Sequence, residues 1–91
     1  MSYAITFLPS VEKVIAKWKK SNPLLHKKLV KVLQDIAEHP RVGLGHPEAL
    51  KGGGDVTYSR HITAHDRIIY DIYDAEVVVL ILELEGHYGD K

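Results

Sequence analysis

The spacing of the hydrophobic residues changes halfway along the chain, and this change restricts the fold more than any other feature. Between residues 11 and 36, apolar side chains recur every three or four positions, which is the period of a helix. From residue 56 to residue 84 they alternate or run continuously, as in strands. The prolines and glycines of residues 40–47 separate the two patterns. The sequence therefore predicts helices followed by a sheet.

The boundaries between these elements can be placed from the residues that break them. Tyr3–Phe7 is short, aromatic and β-branched, as in a strand, and Ser10 is a candidate N-cap for the helix that follows. Asn22-Pro23 divides the helical region into a hairpin, and His39-Pro40 ends it. The predicted strands that follow span residues 48–51, 56–62, 67–73 and 77–84.

This order of elements, β-α-α-β-β-β-β, predicts an α+β fold in which the N-terminal helical hairpin covers one face of an antiparallel sheet. A chain of 91 residues forms one hydrophobic core, so we expect a single domain over residues 1–91. The sequence has no cysteine, which excludes disulfide scaffolds and thiol catalysis. It also has no apolar run of about 20 residues and no signal-peptide pattern, which predicts a cytoplasmic protein without a membrane partner.

The charged residues are distributed unevenly, although their sum is zero. Residues 1–45 hold eight basic and three acidic residues, a net charge of +5, whereas residues 46–91 hold four basic and nine acidic residues, a net charge of −5. Clustered positive charge can attract a polyanion such as RNA. A lysine-rich, solvated helix face explains the same pattern.

Four polar residues stand out in the second half because of where they fall. Glu48 opens the sheet region, Arg67 opens an otherwise apolar strand, and His87 and Tyr88 follow the last strand. In a meander the start of one strand lies near the end of its neighbour, so Arg67 and the two later residues can converge. A carboxylate, a guanidinium, an imidazole and a phenol together suit phosphodiester chemistry. Read singly, each also fits a solvated turn, a strand end or a chain end.

The common cofactor and metal motifs are missing from the sequence. It has no dinucleotide-binding glycine motif, no P-loop and no H-E-x-x-H motif. His61 and His65 have the spacing of a helical metal pair, but their segment alternates like a strand and then turns. We therefore expect neither a metal ion nor a cofactor.

Four segments of the second half resemble motifs of the Txe/YoeB family, within the RelE-like superfamily of bacterial toxins. Gly45–Lys51 is similar to the family's G-x-P-E-x-L-K, and Tyr58–Thr63 to its W-S-R-R-I-T. His65–Tyr70 resembles its H-R-L-V-Y, and Gly86–Tyr88 its C-terminal H-Y. The motifs occur in the family's order and spacing, so together they are specific. The resemblance implies a RelE-like fold.

The resemblance also implies an activity, because members of this family are ribosome-dependent endoribonucleases that cleave mRNA by metal-independent chemistry. Carried over to the matching positions, it implies Glu48 as general base, His87 as general acid and Arg67 as phosphate clamp, with Tyr88 assisting. The implied RNA-binding residues are Lys51, Arg60 and His61. His61 replaces the second arginine of the family's R-R pair, which weakens one phosphate contact.

The family resemblance further implies a cognate antitoxin of the YefM or Axe type, and a homodimer or a toxin–antitoxin hetero-oligomer. Its other implied partners are mRNA and the ribosome. Two alternatives from other classes stay open. One is a toxin of the same fold that inhibits a protein target such as gyrase, and the other is a non-catalytic nucleic-acid-binding module.

Overall fold

The computed structural model of the protein describes residues 2–50 and 56–86. Its elements follow the predicted order, with two helices after the first strand and four strands after the helices. They are β1 (Ala4–Phe7), α1 (Pro9–Ser21), α2 (Pro23–Glu38), β2 (Glu48–Ala49), β3 (Thr57–His61), β4 (Arg67–Tyr73) and β5 (Val78–Glu85).

The two helices form a hairpin that turns at a single residue, Asn22. Its backbone N–H donates to the Trp18 carbonyl at the end of α1, and its side-chain oxygen accepts from the Leu25 N–H at 3.3 Å at the start of α2. One residue thus ends one helix and caps the next. At the start of α1, Pro9 is already helical, so the prediction of Ser10 as N-cap is wrong: proline is tolerated in the first turn. No helix in the described ranges is long and apolar enough to cross a membrane.

The sheet has five strands in the order β1-β5-β4-β3-β2. Strands β2 to β5 pair antiparallel with one another in chain order, as predicted. Strand β1 pairs parallel with β5, with Ala4 opposite Val78 and Phe7 opposite Ile81. The predicted antiparallel sheet is thus formed by β2 to β5, and the parallel pair with β1, which the sequence did not predict, makes the whole sheet mixed. Alternation within a strand indicates which side chains share a face, but it does not indicate which distant strand lies beside it.

The core lies between the helical hairpin and one face of the sheet. Trp18, Leu29 and Ile36 of the helices are buried against strand residues that alternate along β4, whereas on β5 a bulge opposite Ile69 and Tyr70 interrupts the alternation. The strand residues of this core are Ile68, Tyr70, Ile72, Val79, Ile81 and Leu84. Because successive side chains of a strand point to opposite faces, the residues between them lie on the face away from the helices.

We expect Leu29→Ala to lower the free energy of unfolding by about 2–5 kcal/mol, because Leu29 is fully buried and its truncation leaves a cavity. The matched control is Leu24→Ala on the same helix, where the leucine is 66% exposed. That change should cost less than about 0.5 kcal/mol. Urea unfolding of both variants measures the difference, and equal losses would contradict this assignment of the core.

Candidate active site

The sheet face away from the helices brings together two of the predicted catalytic residues. Glu48 on β2 is opposite Ser59 on β3. Two residues further along β3, and therefore on the same face, His61 is opposite Arg67 on β4. Directly opposed residues share a face, so Glu48, His61 and Arg67 all lie on this surface, which we call the helix-free face. Strands β2 and β4 flank β3, so they are roughly 10 Å apart. Long side chains from the two strands can therefore contact one ligand between them.

Arg67 is oriented by a neighbouring carboxylate. Its Nε donates to Glu85 Oε1 at 2.6 Å, and the two side chains are 42% and 37% exposed. The hydrogen bond from Arg67 lowers the pKa of Glu85. Within the described part of the chain, the terminal amino groups of Arg67 make no hydrogen bond. The edge of the guanidinium formed by these groups is therefore available to an anion, and a guanidinium edge matches phosphate geometry.

A cavity of about 320 Å³ lies beside Arg67 and is also lined by His61, Asp66, Glu85 and Gly86. The described chain ends at Gly86, directly before His87. The predictions for His87 and Tyr88, and that for Lys51, fall outside the described residues. Among the residues that are described, no group of three or more histidine, aspartate or glutamate side chains is arranged to hold a metal ion.

Arg60 does not have the RNA-binding position predicted for it. The residue is only 1% exposed, and each of its guanidinium nitrogens donates within the protein. Nε donates to the Tyr70 hydroxyl, and the terminal nitrogens donate to the Asp35 carboxylate and to backbone carbonyls. The carbonyl acceptors belong to His39, Val42 and Leu44. The prediction is wrong because these partners satisfy the charge and the donors of Arg60 inside the fold.

The sequence contained a signal for this burial. Along β3, Arg60 alternates in phase with Tyr58 and Ile62, and both of these pack against the core. The family resemblance predicts that Arg60 binds RNA, whereas its alternation with Tyr58 and Ile62 predicts that its side chain points to the core. His61, one position later, points to the helix-free face and is exposed, as an RNA contact requires.

The buried guanidinium of Arg60 organises the loop of residues 39–47, which joins α2 to Glu48. We call Arg60 and its partner Asp35 the Arg60 clamp. Asp35 also accepts from the Leu44 N–H at 3.0 Å, so the clamp binds the loop through both donors and acceptors. Burial alone would raise the pKa of Asp35, but the hydrogen bonds from Arg60 and Leu44 outweigh it and lower this pKa below its ordinary value.

Two glycines let this loop approach the clamp closely. Gly43 has a φ of 115°, and a Cβ there would lie 2.1 Å from the Asp35 carboxylate oxygen Oδ2. Gly45 has a φ of 79°, and a Cβ there would lie 2.2 Å from the His61 carbonyl oxygen. Positive φ values and this lack of space both favour glycine. Through Gly45, whose carbonyl accepts from the His61 N–H at 2.8 Å, the loop is attached to β3 immediately before Glu48.

A second arginine holds the same loop from the surface. Arg41 forms two hydrogen bonds with the Asp74 carboxylate, at 3.1 and 2.9 Å, and its guanidinium lies 5.8 Å from the centre of the Tyr58 ring. Tyr3 donates its hydroxyl to the same carboxylate at 2.7 Å. The hydrogen bonds from Arg41 and Tyr3 lower the pKa of Asp74. The loop that leads to Glu48 is thus fixed at an inner and an outer point.

A two-layer fold of this kind, with a helical hairpin on a five-stranded mixed sheet and with Glu48 and Arg67 on the other face, is the RelE-like fold of small bacterial toxins. The family described as "YoeB-like toxin of bacterial type II toxin-antitoxin system" matches residues 9–88. The Toxin YoeB of Streptomyces coelicolor is 32% identical over 84 residues, which cover 92% of this chain and 98% of that protein. The chain therefore belongs to the YoeB-like toxins of bacterial type II toxin–antitoxin systems.

Solved structures agree with this assignment. A YoeB/ParE toxin from Agrobacterium tumefaciens superposes with a TM-score of 0.83 at 25% identity, over 93% of this chain and 99% of that one. YoeB from Staphylococcus aureus has been solved as a dimer and in a YoeB–YefM complex. These two structures give TM-scores of 0.81 and 0.80 at 27% and 28% identity, and each comparison covers 97% of this chain and all of the other.

The Arg60 clamp should dominate the stability of the loop. We expect Arg60→Met to lower the free energy of unfolding by about 3–5 kcal/mol, because it leaves the Asp35 carboxylate and three carbonyls without their partner. Arg41→Met is the matched control: its ion pair with Asp74 is exposed, and such pairs contribute at most about 1 kcal/mol. Urea unfolding separates the two variants, and similar losses would rule out a dominant role for the buried arginine.

The lowered pKa of Asp35 predicts a pH dependence of stability. The folded protein favours the ionised carboxylate, whereas the unfolded chain titrates near the ordinary value of about 3.9. The stabilisation is therefore complete above that pH and is lost as the pH falls through the lower folded value. Unfolding curves from pH 6 to pH 2.5 should show a smaller decline for Asp35→Asn than for the wild type. The pKa values of Asp74 and Glu85 are also lowered, and because both residues are present in both proteins they contribute equally to the two declines. Parallel curves would therefore exclude a contribution from Asp35.

Proposed function

We propose that this YoeB-like toxin is a ribosome-dependent endoribonuclease that cleaves mRNA and so inhibits translation in the cytoplasm. The observation that carries the proposal is the position of Glu48 and Arg67 on one face of the sheet, two strands apart, with an edge of the Arg67 guanidinium available to a phosphate. The family and its motifs supply the substrate class.

The proposed reaction uses the nucleophile that RNA already carries, its 2′-hydroxyl. A base must remove the proton of that hydroxyl, a cation must stabilise the charge that develops around phosphorus, and an acid must protonate the departing 5′-oxygen. We assign the first role to Glu48, the second to Arg67 and the third to His87, with Tyr88 assisting. The products are a 2′,3′-cyclic phosphate and a 5′-hydroxyl. These three roles require neither a metal ion nor a cofactor.

The fold supports this assignment by the way it positions the first two groups. Glu48 begins β2 directly after the loop held by the Arg60 clamp, and Arg67 is held by Glu85 on the neighbouring strand. Both side chains are thus attached to segments fixed by buried or charged contacts, which favours a defined geometry over a flexible one. We also propose that Lys51 and the exposed His61 bind the RNA.

We further propose that the protein is neutralised by a cognate antitoxin of the YefM or Axe type and that it forms a homodimer or a toxin–antitoxin hetero-oligomer. The support comes from S. aureus YoeB, which has been solved as a dimer and with YefM. The excess of positive charge in residues 1–45 suits an acidic antitoxin segment.

The decisive test uses an mRNA with a single 2′-deoxy sugar at the cleavage position, presented on the ribosome. We expect the toxin to cut the all-ribose mRNA and to leave the deoxy mRNA intact at that position. If both are cut at the same rate, the nucleophile is water and the roles of Glu48 and His87 are wrong. If both stay intact while translation stops, the toxin acts on a protein target or as a binding module.

Arg67→Ala should reduce the rate of cleavage by roughly 10²–10³-fold, which is the usual effect of losing one donor to the charge of a transition state. Arg67→Lys keeps the positive charge but not the forked geometry, so we expect it to recover part of the loss. Single-turnover cleavage on programmed ribosomes gives the rates, and urea unfolding shows that both variants stay folded. Full activity of Arg67→Ala would remove Arg67 from the mechanism.

A further inference from the structure

A second cavity lies next to the helix-free face and has no role in the chemistry described above. It is a groove of about 630 Å³ between helix α2, the loop of residues 44–46 and the end of β3 with the turn that follows it. We call it the α2 groove. Its volume is within the range of about 300–1,000 Å³ that is typical of small-ligand sites. Its main lining residues are Lys28, Lys31, Val32, Leu44, His46 and Ile62.

The charges of the α2 groove all have one sign. Lys28 and Lys31 are three residues apart on α2 and therefore lie on the same side of the helix. The two histidines that line the groove, His46 and His61, add nitrogen donors, and no carboxylate is among the lining residues. Within the described part of the chain, neither lysine forms an ion pair. Their charge is therefore available to an anionic ligand.

The floor of the groove is apolar. Val32, Leu44 and Ile62 contribute aliphatic side chains between the basic positions. A flat aromatic ring can pack on such a floor, while phosphates on either side of it contact the lysines. A nucleotide has both of these parts, whereas an inorganic anion has only one. The lining of the groove thus matches a nucleotide chain better than a free phosphate.

The α2 groove is continuous with the proposed catalytic centre. His61 and Ala64 line both this groove and the cavity beside Arg67. On the other side, His46 lines the groove and is only two residues before Glu48. A chain whose phosphate is bound by Arg67 can therefore continue past His61 into the groove without leaving the surface.

We propose that the α2 groove binds the single-stranded RNA next to the scissile phosphate. Lys28 and Lys31 contact its phosphates, and the apolar floor takes one base. This inference rests on the proposed function and extends it, because it assigns the path of the substrate beyond the reacting atoms. It also gives His61 a location at the junction between the path and the catalytic centre.

The test measures binding without cleavage. The probe is a fluorescently labelled 2′-O-methyl RNA decamer, whose sugars lack the free 2′-hydroxyl and so cannot be cut. For single-stranded RNA, the slope of the logarithm of the binding constant against the logarithm of the salt concentration changes by about 0.7 for each phosphate contact. Because Lys28→Ala/Lys31→Ala removes two such contacts, it should reduce the magnitude of this slope by about 1.4. At 0.1 M salt this corresponds to an affinity about 25-fold weaker. Fluorescence anisotropy at several salt concentrations measures both quantities.

The matched control is Lys13→Ala/Lys20→Ala, which removes two exposed lysines from α1, away from the groove. It carries the same change in net charge, so we expect it to retain nearly all of the affinity. Equal losses in the two double variants would show that only net charge matters and would overturn the proposal. Wild-type binding by the groove variant, or no binding of the decamer by the wild-type toxin, would also overturn it.

Two further measurements separate this proposal from the proposed function and from another occupant. Failure of the wild-type toxin to cut ribosome-bound mRNA counts against the function, whereas normal cutting by the groove variant counts against the groove alone. The alternative occupant of the α2 groove is the cognate antitoxin. A neutralisation assay with this antitoxin tests whether the toxin needs the groove to bind it. If the groove variant binds the decamer normally but escapes this antitoxin, the groove holds the antitoxin and the RNA proposal is wrong.

Discussion

The buried guanidinium of Arg60 is the interaction on which the arrangement of this protein depends. One side chain from the sheet binds the last turns of α2 through Asp35 and the connecting loop through three carbonyls. A buried charge is tolerated only when its donors are satisfied, so the loop has to adopt the one path that supplies these acceptors. The same loop delivers Glu48 to the opposite face and forms one wall of the α2 groove.

The predictions that succeeded depend on local patterns. The break at Asn22-Pro23 and the strand Arg67–Tyr73 were predicted with the bounds that the structure shows, because a proline and an apolar run act within a few residues. The position of Glu48 and Arg67 on one face was not predicted, although alternation and the consecutive order of β2, β3 and β4 account for it.

The features that the sequence analysis missed depend on contacts between distant parts of the chain. Arg60 is satisfied mainly by backbone carbonyls, and every residue has a carbonyl, so the sequence does not reveal where such acceptors gather. The parallel pairing of β1 with β5 likewise joins residues more than 70 positions apart. The roles of Lys51, His87 and Tyr88 lie outside the described residues and stay predictions that rest on the family motifs.

The pairing of β1 with β5 has a consequence for the order in which the protein is made. Strand β1 leaves the ribosome before the helices and the other described strands, yet its hydrogen-bond partner begins only at Val78. The helical hairpin consists of local contacts and can form early, whereas the sheet cannot close until nearly the whole described chain has been synthesised. Newly made β1 therefore stays without its partner strand until Val78–Glu85 has been synthesised, and the sheet of the toxin is incomplete until then.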